Sequence, residues 1–331
     1  MSRMLRAVLA LVMIAGFGTA ASAKTTMRIT LQLPLKSHLG QNLLVFKKEV
    51  EEVSKGEIEV QIYDSAQLYQ DKEVPKAVGS GAIEAGVASL TRYAGDVPAV
   101  DVFYLPFLFN TEALVRKAVS PDSPVRKPLD EAILKTGSRV LWWQAYGGNL
   151  LLSKGAPLKG PEDMKGKKVR VFGKTLGTWV EVLGGSPTNV AGSEQYLAYQ
   201  RGTVDVGMTG ASGIKARKLW EVMDHVTLTN NADIEFLVVV NEKYWQALPE
   251  EHRKIIQTAA RNAENAVRDE MSKIEQDSLE AGKANGMKVY QPTDAEVAAW
   301  KKASEPVIEK WLTSSGDLGK QVVDAARGLT N

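Results

Sequence analysis

The chain has 331 residues, with 41 Lys plus Arg against 39 Asp plus Glu, three His and no Cys. The near balance of charge speaks against a nucleic-acid binder, which would carry a basic excess. The missing Cys excludes disulfide staples, thiol chemistry and a lipid-modified N-terminal cysteine.

The N-terminus reads as an export signal. Arg3 and Arg6 precede an apolar run from Val8 to Phe17, and Ala21-Ser22-Ala23 fits the small-residue cleavage rule. That run is shorter than the about 20 residues a membrane span needs, so cleavage after Ala23 is expected, with a mature start near Lys24. About 308 residues remain, formally neutral because the signal removes two positive charges. No later stretch is long and apolar enough to cross a bilayer. The expected location is the periplasm. The remaining length suffices for two core-bearing domains.

Strand and helix signals then alternate. Met27 to Leu33 reads as a strand. Leu43, Phe46, Val50 and Val53 form a helical stripe within residues 41–53, closed by Lys55-Gly56. Glu57 to Tyr63 alternates with period two, as a strand with one covered face does. Arg139–Ala145, Lys168–Phe172, Val204–Met208 and Phe236–Val240 are further β-rich runs. Helices between most of them give an α/β class with a largely parallel sheet. Residues 73–87 (EVPKAVGSGAIEAGV) and 194–208 (EQYLAYQRGTVDVGM) align without gaps, sharing Glu, Ala and two Gly. Each predicts a helix, a Gly able to take positive φ, and a buried strand. Two copies suggest a duplicated unit rather than a solenoid. Further on, Pro249 suits a first helical turn. Ile256, Ala259, Ala263, Val267, Met271 and Ile274 predict one long helix over about 249–281, able to bridge two lobes.

Catalytic and metal chemistry find no support. His38, His225 and His252 lack ligand spacing, and His252 sits among charges that suggest solvent. There is no phosphate-binding Gly-Lys-Ser/Thr loop and no G-x-S-x-G elbow. Glu51-Glu52 and Glu250-Glu251 are helix neighbours that do not face one another. No acid, base or nucleophile has an orienting partner, so neither an enzyme nor a cofactor is expected.

Binding chemistry does. In Lys168-Val169-Arg170-Val171-Phe172, alternation sends both Val residues to one face and Arg170 to the other. A guanidinium buried in a covered sheet needs a partner, and its planar fork matches a carboxylate. The alternatives are a solvated Arg on an edge strand or an internal salt bridge. Trp142-Trp143-Gln144-Ala145-Tyr146-Gly147-Gly148-Asn149 is an aromatic strand entering a glycine turn. Trp143, Tyr146 and Asn149 are candidates for a pocket wall, against the alternative that both Trp are core. Trp179 reads as core.

The chain resembles the solute-binding proteins of tripartite ATP-independent periplasmic (TRAP) transporters, of the dicarboxylate-receptor type. The resemblance is carried in order by Ser65-Ala66-Gln67-Leu68, Tyr104-Leu105-Pro106-Phe107-Leu108-Phe109, Met164 to Val171, Gly185-Ser186-Pro187-Thr188 and Glu194 to Asp205. It implies a two-lobed periplasmic binding protein with a ligand cleft between lobes and a long helix spanning both. The expected lobes are 24–147 with about 232–274, and 148–231 with about 275–331. It implies that Arg170 binds the ligand carboxylate, and that Gln32, Asp71, Ser89 and Thr209 are further pocket positions. It implies a partnership with the small and large permease subunits. A monomer is expected. The family's sugar-acid binders often carry a second Arg where Gly147 to Leu150 supply none, an Asn at Thr209 and an aromatic at Gly192. These departures point to a monocarboxylate with an apolar or aromatic body. The alternatives are a ligand-sensing subunit, or a C4-dicarboxylate or sugar-acid binder.

Overall fold

The computed structural model describes residues 24–329. The expected signal, residues 1–23, lies outside the described residues. Its strands are β1 (Thr25–Thr30), β2 (Ile58–Tyr63), β3 (Ala85–Ser89), β4 (Ser138–Gly148), β5 (Leu150–Ser153), β6 (Lys168–Val171), β7 (Ser186–Asn189), β8 (Val206–Thr209), β9 (His225–Thr227), β10 (Asp233–Asn241) and β11 (Lys288–Tyr290). They form two sheets, in orders β2-β1-β3-β10-β4 and β11-β9-β5-β8-β6-β7.

Both sheets are mixed rather than largely parallel. β1 pairs parallel with β2 and β3, but β10 is antiparallel to β3 and β4. In the second sheet β6 is parallel to β7 and β8, while β5 is antiparallel to β8 and β9. The cause is the connection between lobes. Only Asn149 separates β4 from β5, so one extended run passes from sheet to sheet, and β9 to β10 brings the chain back. Such crossing strands do not follow the parallel sense set by β-helix-β units.

Local physics explains the flanking elements. In the helix His38–Val53, Leu39, Leu43, Phe46 and Val50 are buried, and Ser37 Oγ accepts from the Gly40 N–H at 3.2 Å. Lys55 (φ 51°) and Gly56 (φ 82°) turn the chain out of it. Val53, at the end of the expected stripe, is exposed. The sequence repeat is a structural repeat. Helix Val74–Ser80 with Gly81 (φ 82°) and β3 matches helix Gln195–Gln200 with Gly202 (φ 66°) and β8. Even the aligned acids do the same work: Glu84 accepts the Arg28 N–H at 3.1 Å, and Asp205 accepts the Lys168 N–H at 2.8 Å.

The long helix is broken. Helices Glu250–Asp269 and Met271–Ala284 meet at Glu270 (φ −86°, ψ −7°). The first packs on helix His38–Val53 and β4, the second on helix Ala211–Arg217, so the pair spans both lobes. The next helix, Asp294–Ser314, packs on helix Lys174–Val182, and Trp179 Nε1 donates to Ser304 Oγ at 2.7 Å. The last helix, Gly316–Gly328, packs against Pro98–Tyr104. His252 is buried rather than solvated. Its ring lies 3.2 Å from Thr25 Oγ1 and 3.3 Å from Glu57 Oε2, where the helix start folds under the first sheet. Among the described residues no helix is long and apolar enough to cross a membrane.

Candidate functional site

The site lies where strand ends of the two sheets face each other. Gln32 follows β1, Ser89 ends β3, and Tyr146, Ile234 and Phe236 lie on β4 and β10. From the other sheet come Arg170 on β6, Phe172 and Thr209 at the end of β8. Asp71, Arg92, Gly192, Gln195 and Arg217 complete the lining. Placement at strand ends follows the general rule for open α/β sheets.

Arg170 is on an interior strand, since β6 lies between β8 and β7. This disposes of the solvated-edge alternative. Val169 and Val171 are buried on one face and Arg170 points into the cavity from the other. Its Nε donates to Val190 O at 3.0 Å and Nη1 to Met208 O at 2.5 Å. Its Cζ stands 4.9 Å over the Phe172 ring. Among the described residues no carboxylate lies within ion-pair distance, so the internal salt bridge is also disposed of. Burial pushes the guanidinium pKa down to about 10, and the like charges of Arg217 and Arg92 add to the shift. The group stays protonated at neutral pH. It is a fixed, desolvated cation whose outer Nη2 has no hydrogen-bond partner among the described residues.

Other residues have more settled roles. Asp71 accepts from Ser89 N at 2.8 Å, Ser89 Oγ at 2.6 Å and Arg92 Nε at 2.6 Å. Its oxygens are occupied, so what Asp71 and Ser89 present to the cavity is the aimed fork of Arg92. Tyr146 OH accepts from Arg217 Nη1 at 3.1 Å, and its ring packs between His38 and Phe236, at 5.3 and 5.1 Å. Burial lowers His38 to about 4, so it is neutral, and its Nε2–H donates to Ala145 O at 3.0 Å. Two buried amide oxygens that line the cavity, Gln32 Oε1 and Gln195 Oε1, have no hydrogen-bond partner among the described residues.

Six of the eight residues predicted from sequence therefore line one cavity: Arg170, Thr209, Gln32, Asp71, Ser89 and Tyr146. Trp143 and Asn149 do not. Trp143 is fully buried under the helices on the outer face of β4, where Nε1 donates to Asp130 Oδ1 at 2.9 Å and Arg126 lies 5.5 Å over the ring. Trp142, on the opposite face, donates to Asn42 Oδ1 at 3.0 Å. Both Trp are core. Asn149 clamps the two crossing strands instead: its N–H donates to Ala232 O at 2.8 Å and Nδ2 to Asn231 Oδ1 at 3.0 Å.

Arg92 and Arg217 were not foreseen. The expectation that no second cation serves the cavity fails, because it considered only the glycine turn. No local signal marked Arg217; the structure shows that Gly192, the position read as a lost aromatic, leaves it room, since a Cβ there would stand 2.7 Å from Arg217 Nη2.

The lobes also touch outside the cavity. Thr175, in the first turn of helix Lys174–Val182, donates to buried Asp101 Oδ2 through Oγ1 at 2.7 Å and its N–H at 3.4 Å. One carboxylate of the first lobe thereby holds the helix that follows the Arg170 strand.

This architecture has known counterparts. Residues 31–314 match the family described as bacterial extracellular solute-binding protein, family 7. A C4-dicarboxylate-binding periplasmic protein of Vibrio cholerae is 30% identical, over 85% of this chain and 83% of that one. The same organism's sialic acid-binding periplasmic protein is 27% identical, over 90% and 91%. The structure of a TRAP periplasmic solute-binding protein from Sulfurospirillum deleyianum with bound succinate is 26% identical, with TM-score 0.87 over 93% of this chain and 99% of that one. The chain therefore belongs to this family, the solute-binding receptors of TRAP transporters, which bind ligands and are not enzymes.

Proposed function

We propose that the protein captures a small organic acid in the periplasm and delivers it to a TRAP permease of one small and one large membrane subunit. The observation that carries this reading is Arg170, a buried, charged fork with no acid beside it. A ligand carboxylate supplies what burial took away. The relatives that bind C4-dicarboxylates, sialic acid and succinate support the same class. We read residues 24–148, 233–269 and 316–328 as one lobe and residues 150–228 and 271–314 as the other, closing about the crossings at Asn149, residues 229–232, Glu270 and Ser315.

The expected apolar monocarboxylate is disfavoured. Three guanidiniums and one carboxylate line the cavity, and that imbalance favours an acid with two negative charges. Thermal unfolding against a panel of organic acids tests the reading. An acid at about 100 times its dissociation constant should raise the midpoint by roughly 5 °C or more. A protein stabilised only by neutral or cationic compounds would contradict it.

Closure yields a second expectation. Thr175→Val removes one hydrogen bond between lobes and should raise the dissociation rate of the stabilising acid about 3- to 10-fold, with the association rate little changed. Stopped-flow fluorescence would show this, since Trp179 lies on the same helix. Equal dissociation rates would mean the contact plays no part in closure.

A further inference from the structure

We infer that Arg217 is the second anion anchor of the cavity, and that Gly192 sets which acids the cavity accepts by keeping the seat of that guanidinium open. The inference rests on the acid-receptor reading and adds the residues that select within it.

Three guanidiniums border the space, but they are not equivalent. Arg92 is matched by Asp71. Arg170 and Arg217 have no carboxylate within ion-pair distance among the described residues. Their charges act on each other, since Arg217 adds to the lowering of Arg170. Two cations facing one small space favour a ligand that brings an anion to each.

The seat of Arg217 is built. The residue ends helix Ala211–Arg217, whose long side chains lean toward the N-terminal turn. That direction carries it back over Gly213, four residues earlier, and toward the cavity. A Cβ on Gly213 would lie 3.0 Å from Arg217 Nη1, 2.6 Å from Tyr146 OH and 2.3 Å from Thr209 Oγ1. The missing side chain lets the three polar groups converge. Tyr146 OH then accepts from Nη1 at 3.1 Å and fixes the fork. On the far side a Cβ on Gly192 would lie 2.7 Å from Nη2 and 2.9 Å from Gln32 Oε1.

The seat also spans the cleft. Arg217 and Gly192 belong to the second lobe, while Gln32 follows β1 of the first. Gln32 Oε1 is buried and unpartnered beside Gly192. A ligand group held by Arg217 lies against Gln32 only when the lobes are together. The second charge of the ligand is thus the part read by closure, while Arg170 holds the first charge within one lobe.

The test is calorimetric titration of the wild type, Arg217→Gln, Gly192→Ala and Arg170→Ala. The probes are succinate, glutarate and adipate, each beside the monocarboxylate of equal chain length. The wild type should prefer the diacids. Arg217→Gln should weaken the best diacid about 10- to 150-fold, the range expected for losing a hydrogen bond to a charged group. It should leave the matched monoacid within about threefold. Gly192→Ala should fall between, with its melting temperature kept, because the atoms it meets are flexible side-chain ends. Arg170→Ala should lose both kinds of acid. If Arg217→Gln does not fold, Arg217→Lys keeps the charge without the fork and should show the same selective loss to a smaller degree. Equal loss of monoacid and diacid, or no loss, overturns the assignment, as does a wild type that prefers monoacids. A wild type that binds no member of the panel overturns the second-anchor assignment, whereas only the thermal panel of organic acids overturns the acid-receptor reading itself.

Discussion

Arg170→Ala should abolish acid binding while leaving the unliganded protein as stable as the wild type, or slightly more so. Truncating one partner of a buried, hydrogen-bonded charge pair costs about 2–5 kcal/mol, roughly 30- to 5,000-fold in affinity. The ligand carboxylate would lose its guanidinium partner and remain desolvated in the cavity beside Phe172. Without ligand the sign reverses. Arg170 is a buried charge held only by the carbonyls of Val190 and Met208, and the lowering of its pKa means the fold disfavours its charged form. Removing it relieves that cost and loses the packing on Phe172. Titration of the acid found by thermal shift, with melting curves in its absence, separates the two effects. A variant that binds like the wild type would remove Arg170 from the site. A variant that fails to fold would make it structural. Arg170→Lys should also bind poorly, because an ammonium keeps the charge but cannot offer two parallel donors.

Glu235→Ala should give the largest loss of stability, about 3–5 kcal/mol, without touching the ligand cavity. Glu235 is fully buried on β10 and accepts from Arg268 Nη1 and Nη2 at 2.8 and 3.0 Å. Arg268 lies at the end of helix Glu250–Asp269, so the pair ties the spanning helices to the first sheet. Truncation would leave a buried guanidinium facing Asp233, whose carboxyl is already pushed well up by burial and by the Glu235 charge. The neighbouring pair of Arg126 and Glu264, also buried, cannot move to compensate because Arg126 already binds Val119 O and Asp130. Urea unfolding measures the loss, and one below about 1 kcal/mol would contradict the argument. Replacing Glu235 and Arg268 together by apolar residues of similar volume should recover most of it, since the cost lies in the uncompensated charge and not in the missing pair.

The two cases differ in how far sequence could see them. Arg170 announces itself, because alternating Val residues place it in a covered strand where a charge is anomalous. Glu235 and Arg268 lie in equally apolar surroundings, yet nothing local says that each has the other. A pair separated by 33 residues becomes visible only when a strand and a helix are packed. The same reason hid Arg217. Beside Lys215 and Lys218, at a helix end, it looks like an ordinary solvated cation.

By itself the sequence determined what depends on neighbours along the chain: the helical stripe within residues 41–53, the alternation of β2, the duplicated helix-glycine-strand unit and the strand that carries Arg170. Side-chain period and backbone φ are local properties, and they survive folding. The tertiary structure alone decided which surfaces meet. It put Trp143 under helices and Asn149 into the crossing, laid the last helix against residues 98–104, and brought Arg92 and Arg217 to the cavity. Those outcomes depend on how two lobes joined by four crossings pack together, and residues far apart in the chain carry no local mark of the partner that packing will give them.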